Sequence, residues 1–279
     1  MAQAGFDRRR INGPEESFPP TYDDDDDIED AVWKLGMPRK GRNPNDIRPI
    51  FLQPGLITQA NGSAYIETEK SKIACAVYGP RQSKNTAYSE NGRLNVEVKF
   101  APYSCERRKT PMRDAEDRSL AVAIHQALLA SVRLELLPKS TIDIFIVIIE
   151  ADGIEGCIAS GSVAASTALA DAGIEMFGFV VACSAALVGQ DIWLDPTALE
   201  IQASSGSLIL STVPALGKVT SVWQNGQMRP GEVLKVQHPH IHLLSLLISV
   251  IQCMDLCQEQ CTEIHSVVAQ ALLDNVRSS

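Results

Sequence analysis

Three stretches of this chain carry residue types at spacings that chemistry can use. The first is "ADGIEGCIASG", Ala151 to Gly161, a Gly-bearing turn between an apolar run and an Ala/Ser-rich run. A turn from strand to helix offers free backbone N–H groups and the positive end of a helix dipole, which together hold a phosphate. Glu155 lies in that turn, and its charge has the wrong sign for the task. The second is the pair Asp191 and Asp195, four apart beside a strand-like stretch. Two such carboxylates suit Mg²⁺ shared with a substrate phosphate, although Asp195-Pro196 reads equally well as turn chemistry. The third is a basic stretch from Arg81 to Arg118, with nine Lys/Arg against six acids. Its centre, Arg107, Arg108 and Lys109, falls on a loop, with Arg93 and Arg113 to either side. These five are the residues expected to touch nucleic-acid phosphates without regard to sequence. A plain solvated loop is the alternative.

Other clusters read as structure. Cys253, Cys257 and Cys261 recur every four residues with His265 next, which lines one face of a helix. Structural zinc sites usually pair their ligands through tight turns, so this row is expected to face a core. His238, His240 and His242 alternate at a helix start and read as a polar loop. Neither G-x-x-x-x-G-K-[ST] nor G-x-G-x-x-G occurs, and no G-x-S-x-G surrounds Ser162 or Ser184. Nucleotide-binding fingerprints and a serine-hydrolase elbow are therefore absent. No metal and no cofactor is expected.

The 279 residues carry a net charge of −9, unevenly placed. Residues 1–30, with "YDDDDDIED", hold −7 of it, leaving the body nearly neutral. Such a charge run cannot bury enough apolar surface to order itself, so residues 1–40 are expected to be a disordered acidic tail and linker. Residues 41–279 form the domain, with ordered structure starting near Ile47. Seven Cys without a C-x-x-C argue for free buried thiols in a reducing compartment. With no apolar signal core and no run of about 18 apolar residues, the expectation is a soluble intracellular protein without membrane contact.

The elements that must position these residues follow from periodicity. Phe51 to Tyr103 is β-like, with short alternating runs closed by Gly, Pro and Asn. "SLAVAIHQALLASVRLELL" has helical spacing and is expected to end before Pro138. "TIDIFIVIIEAD" is apolar enough for a strand covered on both faces. "CIASGSVAASTALADAG" is a helix of small residues with Gly173 as its C-terminal cap. "MFGFVVACSAAL" and "DIWLDP" continue the β pattern, a hairpin turns around "PALGK", and Pro239 to Val276 forms one helix or two. The order predicts an α+β fold of layered mixed sheets with βαβ-type crossover helices and C-terminal helices.

Read together, "DIRPI", "PGLITQANGSAYIE", "SKIACAVYGPR", "EADG", "ALADAG" and "LDPTALE" resemble, in order, the RNase PH family of phosphate-dependent exoribonucleases. "DAGIEMFGFVVAC" and "WLDPTALE" are most similar to the branch that forms the core ring of the eukaryotic RNA exosome. The resemblance implies an RNase PH-like fold and a six-membered ring with other RNase PH-like subunits. It also implies RNA-binding cap subunits, RNA threading a central channel, associated exoribonucleases, and residence in nucleus, nucleolus and cytoplasm.

Active members carry Asp-Gly-Gly-Thr-Arg-Thr in the turn after the buried strand, where Thr and Arg hold the attacking phosphate. Here Asp152 and Gly153 match, Ile154 replaces the second Gly, and Glu155 and Gly156 stand where Thr and Arg would. The other half of the family's site is a Leu-Asp…Glu-Asp pattern. Asp195 and Glu200 match it, but Ile201 occupies the second Asp position. The implied reading is a non-catalytic ring subunit with no catalytic residue of its own. Its rivals are an active phosphorolytic 3′→5′ exoribonuclease and an RNase PH-fold scaffold in a complex without RNA.

Overall fold

The computed structural model describes residue 39 and residues 41–82, 89–105, 108–109, 115–189, 191–226 and 239–278. Among the described residues nine strands form two sheets. The first runs β1-β2-β3-β5-β4, from β1 (Phe51–Pro54), β2 (Gly62–Thr68), β3 (Ser71–Gln82), β4 (Arg93–Phe100) and β5 (Ser140–Glu150). The second runs β7-β6-β8-β9, from β6 (Val181–Val188), β7 (Asp191–Leu194), β8 (Gly206–Val213) and β9 (Lys218–Gly226). β4 and β5 are parallel and joined through helix α1 (Ala115–Leu129), a βαβ crossover; every other pairing is antiparallel.

Helix α2 (Ile154–Asp171) lies between the sheets and contacts both. Its Ala, Ser, Thr and Gly residues let it be buried nearly all round, because short side chains allow backbones to approach closely. At its C-terminus the Gly173 N–H reaches the Ala170 carbonyl and the Ile174 N–H the Leu169 carbonyl, with Gly173 left-handed. This is the expected glycine cap. Gly62 on β2 lies so close that a Cβ there would sit 2.2 Å from the Ala172 nitrogen. Ile142, Ile144, Ile146 and Ile148 of β5 are fully buried against the helical layer, each contributing about 1.5–3 kcal/mol of transfer free energy. Helix α4 (Pro239–Ser278), a single helix, packs against β6 and β8 of the second sheet and β1 of the first, with Cys253, Cys257, Cys261 and Ile264 buried. The cysteine row is therefore a core face. Burial pushes the Cys253 thiol up to about 11 and that of Cys157 on α2 up to about 12. Among the described residues no helix is long and apolar enough to cross a membrane.

Two expectations change. α1 ends at Leu129, not before Pro138: Ser131 and Val132 both turn back to the Leu128 carbonyl, and Val132 bridges to Met176. A tertiary β-bridge thus overrides continued helical spacing. β5 is covered on one face only, with Phe145 40% and Val147 42% exposed on the other. The hairpin at Pro214–Leu216 is as expected, closed by left-handed Gly217.

Candidate functional site

Two turns far apart in sequence meet here. The first, Asp152-Gly153, leaves β5 and starts α2, with Gly153 at φ 84°. The second, Asp195 to Thr197, leaves β7 and starts the short helix α3 (Ala198–Ala203). Thr197 caps α3 in a reciprocal box: its own N–H donates to Glu200 Oε2 at 2.8 Å and its hydroxyl accepts from the Glu200 N–H. Asp152 Oδ1 accepts the Ala198 N–H at 3.0 Å, so one turn satisfies a free donor of the other. A Cβ on Gly153 would lie 3.2 Å from Ile201 Cδ1. Asp195 is itself left-handed at φ 47°, held by its N–H donating to the Ser184 carbonyl at 2.8 Å.

Three arginines from the segment before β1 close on these turns. Arg48 forks onto Asp195, with Nε to Oδ2 at 2.7 Å and Nη2 to Oδ1 at 2.6 Å, while Nη1 reaches Asp152. Arg42 donates to Asp195 Oδ2 and to the Asp195 carbonyl, each at 3.1 Å. Arg39 forks onto Glu200 with both contacts at 3.0 Å, donates to the Asp195 carbonyl at 2.7 Å and lies over the Trp193 ring. The three acids match the three cations. Burial alone would raise the Asp195 pKa, but the Arg48 hydrogen bonds and charge outweigh it and hold the carboxyl below its ordinary value. Burial likewise disfavours charged Arg48, and the bonds to Asp195 and Asp152 reverse that, raising its pKa. Arg42 goes the other way, lowered by burial and by neighbouring Arg39. Bidentate guanidinium–carboxylate pairs are the geometry in which buried charges can be held.

Glu155 is 3% exposed and points across to the second sheet, where its Oε1 accepts from Ser207 Oγ at 2.8 Å and Asn225 Nδ2 at 3.5 Å. A Cβ on Gly156 would face Ser71 Oγ at 3.8 Å and Arg48 Nη2 at 4.0 Å. The cavity beside Arg48, lined also by Thr68, Ser160, Ser184 and Asp195, is about 40 Å³.

Residues 46–175 match the model of the RNase PH 3′ exoribonuclease family, domain 1. Over 81% of this chain and 87% of the relative, the sequence is 35% identical to exosome complex component mtr3 of Schizosaccharomyces pombe. The chain belongs to the RNase PH family. It is also 37% identical to exosome complex component MTR3 of Mus musculus, covering 79% of this chain and 84% of that one. The RNase PH fold extends to the crystal structure of rice Rrp46, with TM-score 0.67 at 19% identity over 82% of this chain and 98% of that one.

The two turns of this RNase PH chain are those in which its motifs were read, and the fold brings Asp152, Glu155, Asp195, Glu200 and Ile201 into one region. Asp191 is not part of it: it is exposed at the start of β7, while Asp195 is taken by arginines. Among the described residues no group of His, Cys, Asp or Glu is arranged to hold a metal ion. The basic residues fare unequally. Arg93 and Arg108 are exposed. Lys109 is not a free cation: it pairs with Glu116 and sits 4.0 Å from the Phe100 ring centroid. Arg107, Arg113 and His238 lie outside the described residues, as do the side chains of His240 and His242. Sequence reading gave Arg39, Arg42 and Arg48 no role, with Arg39 in the expected tail and linker and the other two in the expected domain. Nothing near them in sequence reveals their partners; the only local signal is three arginines ahead of the first strand.

Proposed function

We propose that this chain is a non-catalytic subunit of the RNA exosome core ring. The observation that carries the reading is the closure of Arg42 and Arg48 on Asp195 and of Arg39 on Glu200. The acids of the family's second motif are held by the chain's own cations, and in the first motif Glu155 and Gly156 leave no cation for an attacking phosphate. A carboxylate fixed by two guanidiniums is a poor proton acceptor, since its pKa lies below the ordinary value. The likeness to the exosome components of fission yeast and mouse supports the assembly. The partners are other RNase PH-like ring chains, RNA-binding cap subunits, RNA in the channel and associated exoribonucleases, in nucleus, nucleolus and cytoplasm. Of the five basic residues expected to meet RNA, Arg93 and Arg108 keep exposed guanidiniums that suit the role.

The test has two readouts. The tagged full-length chain, purified from cells, is expected to bring down RNase PH-like chains identified by mass spectrometry. Incubated alone with RNA and inorganic phosphate, it is expected to release no nucleoside diphosphate. Release that scales with phosphate would overturn the non-catalytic reading; co-purification with an unrelated complex would overturn the assembly.

A further inference from the structure

The face of the first sheet turned away from the helices is not covered evenly. At one end, Arg81 of β3 and Arg93 of β4 are both in register with Thr141 of β5, one from each side. Residues directly opposed across strands share a face, and two strand spacings put their Cα atoms roughly 10 Å apart. Both side chains are exposed. Among the described residues neither makes an ion pair. The Arg81 guanidinium stacks over Tyr78, 5.1 Å from the ring centroid. Tyr78 in turn meets Phe145 edge-on, with centroids 5.8 Å apart. Phe145 is 40% exposed and Val147, two residues on, 42%. The nearby acid Asp143 is engaged by Asn95 at 2.9 Å. The acids Glu67 and Glu150 lie towards the far end, around Lys72. Along this face Arg81 and Arg93 stand at one end beside Asp143, Glu97 is in register with the exposed Phe145, and Lys72 lies between Glu67 and Glu150 at the far end.

We propose that the Arg81–Arg93 end of this sheet face, with Tyr78 and Phe145, is a platform for single-stranded RNA. The two guanidiniums contact successive phosphates and the rings stack bases. Single-strand binders combine these features because every base has a π-face and every nucleotide a charge. An exposed Phe beside a stacked Arg–Tyr pair supplies the first requirement, and two exposed guanidiniums that make no ion pair among the described residues supply the second. This inference rests on the exosome reading for the source of the RNA, not for the geometry.

The test uses the tagged full-length chain with whatever partners it brings from cells, photo-crosslinked to an oligouridine carrying 4-thiouridine. Crosslinked peptides are expected from residues 71–82 and 140–150. Arg81→Gln with Arg93→Gln is expected to lower that crosslink about tenfold. It should also flatten its salt dependence by about 1.4 in log–log slope, since each single-strand phosphate contact contributes about 0.7. Phe145→Ala is expected to lower it several-fold, and Lys72→Gln at the far end to leave it unchanged. No crosslink from these strands, while RNA crosslinks elsewhere in the same preparation, would overturn the proposal. Loss of partner chains on Phe145→Ala, with crosslinking elsewhere intact, would also overturn it by making the face a protein interface. If no RNase PH-like chain co-purifies, the ring reading fails, and the same crosslinks on the chain alone still decide this one.

Discussion

Two groups of arginines in this chain, in segments of similarly basic character, end in opposite situations. Arg39, Arg42 and Arg48 are withdrawn from water and matched to Asp152, Asp195 and Glu200. Arg81 and Arg93 stand on an open sheet face, and among the described residues no acid pairs with them. The first group spends its hydrogen-bonding edges on the chain itself. The second can serve a ligand, at little cost in folding. A basic residue thus says nothing about binding until its partners are known.

Stability measurements should separate the groups most sharply. Arg48→Ala leaves Asp195 and Asp152 buried without their main cation, and breaking a buried pair costs about 3–5 kcal/mol. Denaturant unfolding should show a loss of that size; a loss below about 1 kcal/mol would mean that the network is not what holds the segment before β1. Placing a further guanidinium in the site is the next largest change. Gly156→Arg is expected to destabilise by about 1–3 kcal/mol through crowding, with like-charge contact against Arg48, and not to create phosphate binding. Calorimetry with inorganic phosphate checks the second half: heat of binding would show that the network yields to a ligand.

Acidity probes the same cluster without mutation. Asp195 has its pKa lowered on folding. Its contribution is therefore complete above the ordinary carboxyl value near 4, and is lost as pH falls through the lower folded value. Unfolding free energy followed from pH 5 to pH 3 should fall more steeply in the wild type than in Asp195→Asn. Smaller still is the capping box: Thr197→Ala should cost about 1 kcal/mol. At the bottom of the series Arg93→Gln, on the open face, should change stability by no more than about 0.5 kcal/mol. A larger effect there would erase the distinction between the two groups.

Much of the fold was legible locally. The Ile-rich run gave β5, the small-residue run gave α2 with its Gly173 cap, and the four-residue cysteine spacing gave a buried helix face. The exposed side of β5 was not legible, because an apolar strand looks the same whether one face or both are covered. The end of α1 was not legible either, since the bridge from Val132 to Met176 is a contact across 44 residues of intervening order. In the site, Asp152, Glu155, Asp195, Glu200 and Ile201 could be singled out by resemblance, but Lys109 looked as available as Arg108. Only Glu116 beside it shows otherwise.

The sequence by itself determined which segments become strands and helices, because periodicity, caps and turn residues act over a few positions. It also set Glu155, Gly156 and Ile201 in the two turns from which the non-catalytic reading is proposed. Tertiary structure alone decided what surrounds the acids of those turns. Arg48 meets Asp152 across 104 residues and Asp195 across 147, and Arg39 meets Glu200 across 161. Pairings at such separations depend on how two sheets and a helix stack, and charge energy depends on burial and distance, neither of which is written in any local stretch.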